Sequence, residues 1–150
     1  MSLELRINDD IKNAMLARDA KKLEAIRAVK AALLLEKTKE GAAGEVSEEA
    51  EMKILQKLVR QRRESAEIYA NANRHDLAEK DLYDATVIET YLPKQMSEAE
   101  VTEKIRLIIA QAGATTIRDM SKVMGLATKE IAGKADNKMI SGIVKSLLEP

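Results

Sequence analysis

The chain has no cysteine, no tryptophan and no phenylalanine, and it carries one histidine and two prolines in 150 residues. Without thiols there is no disulfide framework, no thiolate nucleophile and no Cys/His zinc site, so only carboxylate-held metals remain open. We assign no metal site and call for no cofactor. The six glycines, at positions 41, 44, 113, 125, 133 and 142, are scattered and form neither a dinucleotide fingerprint nor a phosphate loop. Neither sign of charge dominates: 25 Lys and Arg face 25 Asp and Glu. That balance argues against a uniformly basic coat and leaves any nucleic-acid patch to local distribution. No stretch approaches the ~20 apolar residues of a membrane span. The opening Met1-Ser-Leu-Glu-Leu-Arg-Ile-Asn-Asp-Asp10 lacks an apolar signal core. The expectation is a soluble, cytoplasmic protein with no membrane partner.

What the chain does have is helical periodicity, with apolar residues recurring at intervals of three and four. Leu3, Ile7, Ile11 and Met15 mark a first helix; Leu23, Ile26, Val29 and Leu33 mark a second, with Asp19 as its cap. The segment 40–45 reads as a flexible loop. Ser47 followed by three glutamates opens a long third helix, whose stripe of Met52, Leu55, Val59, Ala66 and Tyr69 is interrupted by Arg62. Asn73 suits a left-handed terminator, and Asp76 opens a fourth helix bearing Ala78, Leu82, Ala85, Ile88 and Leu92. Pro93 disfavours helix at Leu92, so residues 91–95 read as a linker. Ser97 and Glu100 form a capping box, with Met96 and Val101 as a hydrophobic staple, and the fifth helix runs to Gly113. Thr116 to Asp119 caps a sixth helix stopped by Gly133, and Asp136 starts a seventh. The fold expected is all-α: an antiparallel helical bundle over residues 1–93, then a small three-helix tail domain over 94–150.

Charge divides unevenly between these parts. Residues 1–92 hold 16 bases and 18 acids, residues 93–150 nine bases and seven acids. Catalysis finds no foothold. His75 lies in a turn beside Asp76 with no hydroxyl nucleophile fixed near it, and acidic pairs such as Asp81 and Asp84 read as solvated helix faces. No catalytic residue is assigned. A secondary basic strip, Lys57, Arg60 and Arg63 with Lys53 and Arg62, is open to two readings. Arg60 and Arg63 stand four residues before Glu64 and Glu67, and Arg62 needs an acid on another helix, so pairing competes with phosphate binding.

The last two helices carry the most informative pattern. At about 100° per residue, Lys122, Gly125, Lys129 and Gly133 fall on the side opposite Val123, Ala127 and Ile131. Lys138, Gly142 and Lys145 likewise oppose Ile140, Ile143, Val144 and Leu147. Glycine on an exposed helical face costs about 1 kcal/mol relative to alanine. A reason outside the fold is a sugar-phosphate backbone approaching the bare helix while lysines supply charge; the alternative is a solvated face with tolerated glycines. Arg118 extends the candidate surface by geometry, and the segment from Gly133 to Lys138 offers backbone N–H groups to an anion unless Asp136 occupies them. With no Phe or Trp, and Tyr69, Tyr83 and Tyr91 all in the first part, stacking on single strands is disfavoured. A folded RNA read by shape is the fitting nucleic acid.

Several stretches match a known family: Leu23-Glu-Ala-Ile-Arg-Ala-Val-Lys-Ala-Ala-Leu33, Gln61-Arg-Arg-Glu-Ser-Ala-Glu-Ile-Tyr69, Arg74-His-Asp-Leu-Ala-Glu79, Glu89-Thr-Tyr-Leu-Pro-Lys-Gln95, Asp119-Met-Ser-Lys-Val-Met-Gly125 and Gly133-Lys-Ala-Asp136 with Ile143-Val-Lys145. On these the chain resembles a stand-alone GatB/YqeY-family protein, related to the C-terminal helical and tail domains of the tRNA-dependent amidotransferase B subunit. Where the family often has glycine, this chain has Asn73, Ser121 and Asn137. The resemblance implies a bundle followed by a tail that engages tRNA, with the surface on Lys122, Lys129, Gly133, Lys134 and Lys138. It also associates the chain with carbon-nitrogen ligases that use glutamine as amido-N-donor, whose catalytic domains are missing here. Three functions are therefore weighed: a non-catalytic tRNA-binding or tRNA-sensing module accessory to amidation of misacylated tRNA, a helical adaptor docking a protein partner through the bundle, and a ligase subunit in its own right.

Overall fold

A computed structural model describes residues 2–39 and 46–149; the loop expected at 40–45 lies outside them. Among the described residues there are seven α-helices and no strand: α1 (Leu3–Leu16), α2 (Ala20–Lys39), α3 (Glu48–Asn71), α4 (His75–Glu89), α5 (Glu98–Ala112), α6 (Met120–Glu130) and α7 (Asn137–Leu148). A 3-10 turn, Ile117–Asp119, precedes α6. The protein is all-α, as the periodicity requires. No helix among the described residues is long and apolar enough to cross a membrane. The chain divides into two compact units, Met1–Leu92 and Pro93–Pro150.

Local signals set most helix ends. Ser2, Ser47 and Asp19 accept hydrogen bonds from the N–H groups of Leu5, Ala50 and Lys22 at 3.2, 3.1 and 3.1 Å. Each satisfies a donor the helix cannot. Asn73 does take the left-handed conformation, φ 61°, and so does Arg18 in the α1–α2 turn, φ 56°. Helix α4 starts at His75 rather than at Asp76; Asp76 sits in its first turn, 3.4 Å from Arg74.

In the first unit, Ile7, Ala25, Ile26, Val29, Leu55 and Ile88 form the interior. The boundary between the units falls after Leu92, inside the expected 91–95 linker, but Tyr91 belongs to the first unit's interior. Its ring is buried in this interior, its hydroxyl donates to Asp10 at 2.6 Å, and the Arg6 guanidinium lies 4.7 Å from the ring centroid while donating to the Thr90 carbonyl at 2.9 Å. Burial and the Asp10 carboxylate push the phenol well above its ordinary pKa, so it stays a donor. The exit of α4 is thereby tied to α1.

Asp84 is a correction, because it is buried rather than solvated. Arg62, the cation that interrupts the α3 stripe, reaches it at 3.6 Å, and Lys80 stands 3.8 Å away while pairing with Glu24 at 3.0 Å. Burial raises the Asp84 pKa against the pull of Lys80 and Arg62. Arg63 pairs with Glu89 of α4, not with Glu67 one turn along its own helix. Helices α3 and α4 are thus joined by ions at two levels.

Removing Asp84 strands Arg62 in a half-buried position. Asp84→Ala is expected to cost about 3 kcal/mol, at the lower edge of the range for a broken buried pair, since Arg62 keeps 27% of its side chain exposed. Urea denaturation measures it, and a loss below about 0.5 kcal/mol, the range of an ordinary surface substitution, contradicts the assignment.

Candidate nucleic-acid interface

The second unit is organised around Val101, Ile105 and Ile108 of α5, Val123, Ala127 and Ile131 at α6, and Ile140, Val144 and Leu148 of α7. Each fully buried aliphatic side chain contributes about 1.5–3 kcal/mol, enough to fix which face of each helix turns inward. The Ser97–Glu100 capping box is present, with Glu100 N–H to Ser97 Oγ at 3.1 Å and Ser97 N–H to Glu100 Oε1 at 3.2 Å. Met96 packs against the same interior as Val101. The segment before α5 is docked on the α6–α7 turn: Met96 N–H donates to the Lys134 carbonyl and Gln95 Nε2 to the Gly133 carbonyl, both at 2.8 Å.

Helix α6 is introduced by a reciprocal cap. Thr115 and Thr116 N–H groups donate to Asp119 Oδ2 at 3.0 and 3.3 Å, and Arg118 N–H donates to Thr116 Oγ1 at 3.3 Å. This cap opens the 3-10 turn, which runs directly into α6. The backbone donors hold the Asp119 carboxyl below the usual carboxylate range; those of Ser97 do the same for Glu100.

With Val123, Ala127 and Ile131 inside, Lys122, Gly125 and Lys129 are exposed on the opposite side of α6. With Ile140, Val144 and Leu148 inside, Lys138, Gly142 and Lys145 are exposed on the opposite side of α7. A Cβ built on Gly125 or Gly142 meets no atom within 4 Å. Neither glycine is excused by close helix packing within the unit. Lys122 donates to the Ala112 carbonyl at the end of α5, 3.2 Å away, and Lys145 lies 3.9 Å from Glu149. Among the described residues, the side chains of Arg118, Lys129, Lys134 and Lys138 are exposed and meet no acid within ion-pair distance.

Gly133 does not belong to this face. Helix α6 ends at Glu130, the chain turns, and Gly133 is buried with φ 74° and its carbonyl bonded to Gln95. A side chain there meets backbone strain, so the turn itself asks for glycine. The N–H cradle expected between Gly133 and Lys138 is likewise occupied. Lys134 N–H donates to Ile131 O at 2.8 Å, and Lys138 N–H to Asp136 Oδ1 at 3.0 Å. Asp136 has taken the place of an anion. Lys134 therefore contributes its ammonium group alone.

The secondary strip is not a free run of cations. Lys53 pairs with Glu49 at 3.5 Å, Arg62 with Asp84, and Arg63 with Glu89. Lys57 and Arg60 are exposed on α3, and His75 is exposed at the start of α4. Among the described residues no three His, Cys, Asp or Glu side chains gather where a metal ion could be held.

The model of the YqeY-like protein family matches residues 4–148. The chain belongs to the YqeY-like family. It is similar to "Altered inheritance of mitochondria protein 41, mitochondrial" of Meyerozyma guilliermondii, 33% identical over 133 residues, covering 87% of this chain and 68% of the relative. The proteins of the same name from Vanderwaltozyma polyspora and Pyrenophora tritici-repentis are 29% and 26% identical. Those matches cover 95% of this chain in each case, and 80% and 79% of the relatives. Because these relatives are named as mitochondrial proteins, the cytoplasmic expectation is corrected. Charge and hydropathy do not distinguish one aqueous compartment from another.

Two outcomes follow for the second unit. Gly125→Ala and Gly142→Ala should each raise stability by about 0.5–1 kcal/mol, measured by denaturant unfolding, because the added methyl meets only solvent. An overpacking loss contradicts the open geometry. Glu100 has its pKa lowered from 4.5 in the fold, so its stabilisation is present above that value and lost as pH falls through the depressed one. Glu100→Gln should flatten the acid side of the melting-temperature profile; an unchanged slope contradicts the cap.

Proposed function

We propose that this YqeY-like chain is a non-catalytic module that binds folded tRNA, accessory to glutamine-dependent amidation of misacylated tRNA, through the outward faces of α6 and α7. One observation carries the reading: Gly125 and Gly142 stand open on helix faces whose neighbouring exposed side chains include Lys122, Lys129, Lys138 and Lys145. A helix interior that forgoes a methyl in open solvent loses stability without any return in packing. A phosphate backbone supplies the return, because it approaches bare helix more closely than a side chain permits while the ammonium groups displace its counterions. Three further features support it. Among the described residues, Arg118, Lys129, Lys134 and Lys138 have no acidic partners to release before binding. The second unit contains no aromatic residue, so recognition rests on phosphate spacing and groove shape rather than base stacking. The resemblance to the amidotransferase tail names tRNA as the folded RNA.

Gel-shift titration against total tRNA at two salt concentrations tests the proposal. With roughly five phosphates contacted, log affinity should fall against log salt with a slope of about −3.5 to −4.5. Lys129→Glu with Lys138→Glu should weaken binding uniformly across tRNA species and flatten the slope by about two. Gly125→Ala with Gly142→Ala should weaken binding while the protein becomes more stable. A flat salt response, or affinity unmoved by either pair, overturns it.

A further inference from the structure

Helix α2 carries two stripes, of which the fold uses one. Leu23, Ile26, Val29 and Leu33 face the interior of the first unit. On the other side, Arg27, Lys30, Ala31, Leu34, Leu35 and Thr38 recur at the 3, 1, 3, 1, 3 spacing of a second helical stripe. Arg27 and Ala31 are exposed, Leu34 is 48% exposed, Leu35 61%, and no residue of α2 after Val29 is buried. The apolar members of this second stripe, Ala31, Leu34 and Leu35, stand exposed among cations. The second side of α2 is bare.

Its charge says what covers it. Helix α2 holds Lys21, Lys22, Arg27, Lys30, Lys37 and Lys39 against only Glu24 and Glu36. Glu24 is engaged by Lys80 of α4. Among the described residues, none of the six cations has an acid within ion-pair distance. Cations along this stripe accompany leucines, whereas those of α6 and α7 accompany glycines. Leucines in the centre of a face hold phosphates away and gain nothing from them, so a nucleic acid does not fit. A bilayer fits poorly as well, because an interfacial helix submerges a broad apolar face, and the wider apolar face of α2 is already inside the protein. An amphipathic helix with leucines framed by carboxylates matches both features: its apolar seam covers Leu34 and Leu35, and its acids meet Lys30, Lys37 and Lys39.

We propose that the outer face of α2 docks an acidic amphipathic helix of a partner protein. The probe is a fluorescein-labelled synthetic helix of about three heptads, the length at which a heptad pattern becomes distinctive, with leucine at a and d and glutamate at the flanking positions. Fluorescence anisotropy with the full chain should show saturable binding that weakens with salt. Leu34→Glu with Leu35→Glu should reduce affinity at least tenfold, as should Lys37→Glu with Lys39→Glu. All four positions are exposed, and unchanged helical circular dichroism confirms the fold of each variant. The same peptide with lysine replacing glutamate should not bind.

Absence of binding at roughly 0.1 mM peptide, a millimolar-class affinity, overturns the proposal, as does binding indifferent to both double variants. It is also overturned if those leucines are required instead for flotation with phosphatidylcholine/phosphatidylglycerol vesicles, for self-association in sedimentation, or for tRNA retardation in a gel.

Discussion

The constraint on which the candidate interface depends is the shared aliphatic interior of α5, α6 and α7. Once Val123, Ala127 and Ile131 are inside with Ile140, Val144 and Leu148, helical geometry leaves no choice about what faces out. Lys122, Gly125 and Lys129 on one helix, and Lys138, Gly142 and Lys145 on the next, are outward because their neighbours are inward. No strand, metal or disulfide is needed to present them. The capping boxes at Ser97 and Thr116 then set where α5 and the α6 approach begin, and Asp136 does the same for α7.

The two units use charge in different ways. In the first, Arg62 and Asp84 are drawn inside, and Arg63 and Glu89 join the same two helices nearer the α4 end. These cations are consumed by the fold, which is why the α3 strip is a weak candidate for phosphate. In the second unit, the α6 and α7 cations other than Lys122 and Lys145 have no acid within ion-pair distance among the described residues. What separates the two units is therefore not how many bases a segment has, but how many the fold leaves unengaged.

What was legible in the sequence was whatever depends on a few neighbouring residues. Ser47, Ser97 with Glu100, Gly113 and Asn73 announce helix ends because capping is a local matter, and the need of Arg62 for an acid across the bundle follows from a cation placed in an apolar stripe. The direction of Arg63 was not legible, since its long side chain reaches Glu67 or Glu89 equally well until α4 is in place. The burial of Tyr91 is not legible: Pro93, two residues on, signals a linker, whereas the ring is held by Arg6 and Asp10 more than 80 positions away in the chain. The place of Gly133 is hidden for a different reason: projecting α6 past Glu130 continues a helix that has already ended. The second stripe of α2 is hidden in the sequence because Leu33, Leu34 and Leu35 form one run, and a run does not declare which of its members lie on the covered side.

The amide chemical shifts of the isotopically labelled full chain, titrated with folded tRNA, test the central claim most directly. The account predicts that the largest changes fall at Lys122, Gly125 and Lys129 and at Lys138, Gly142 and Lys145, with the Val123 and Val144 interior little moved. Changes confined to residues 2–92, or none on the α6 and α7 faces at saturating RNA, contradict it.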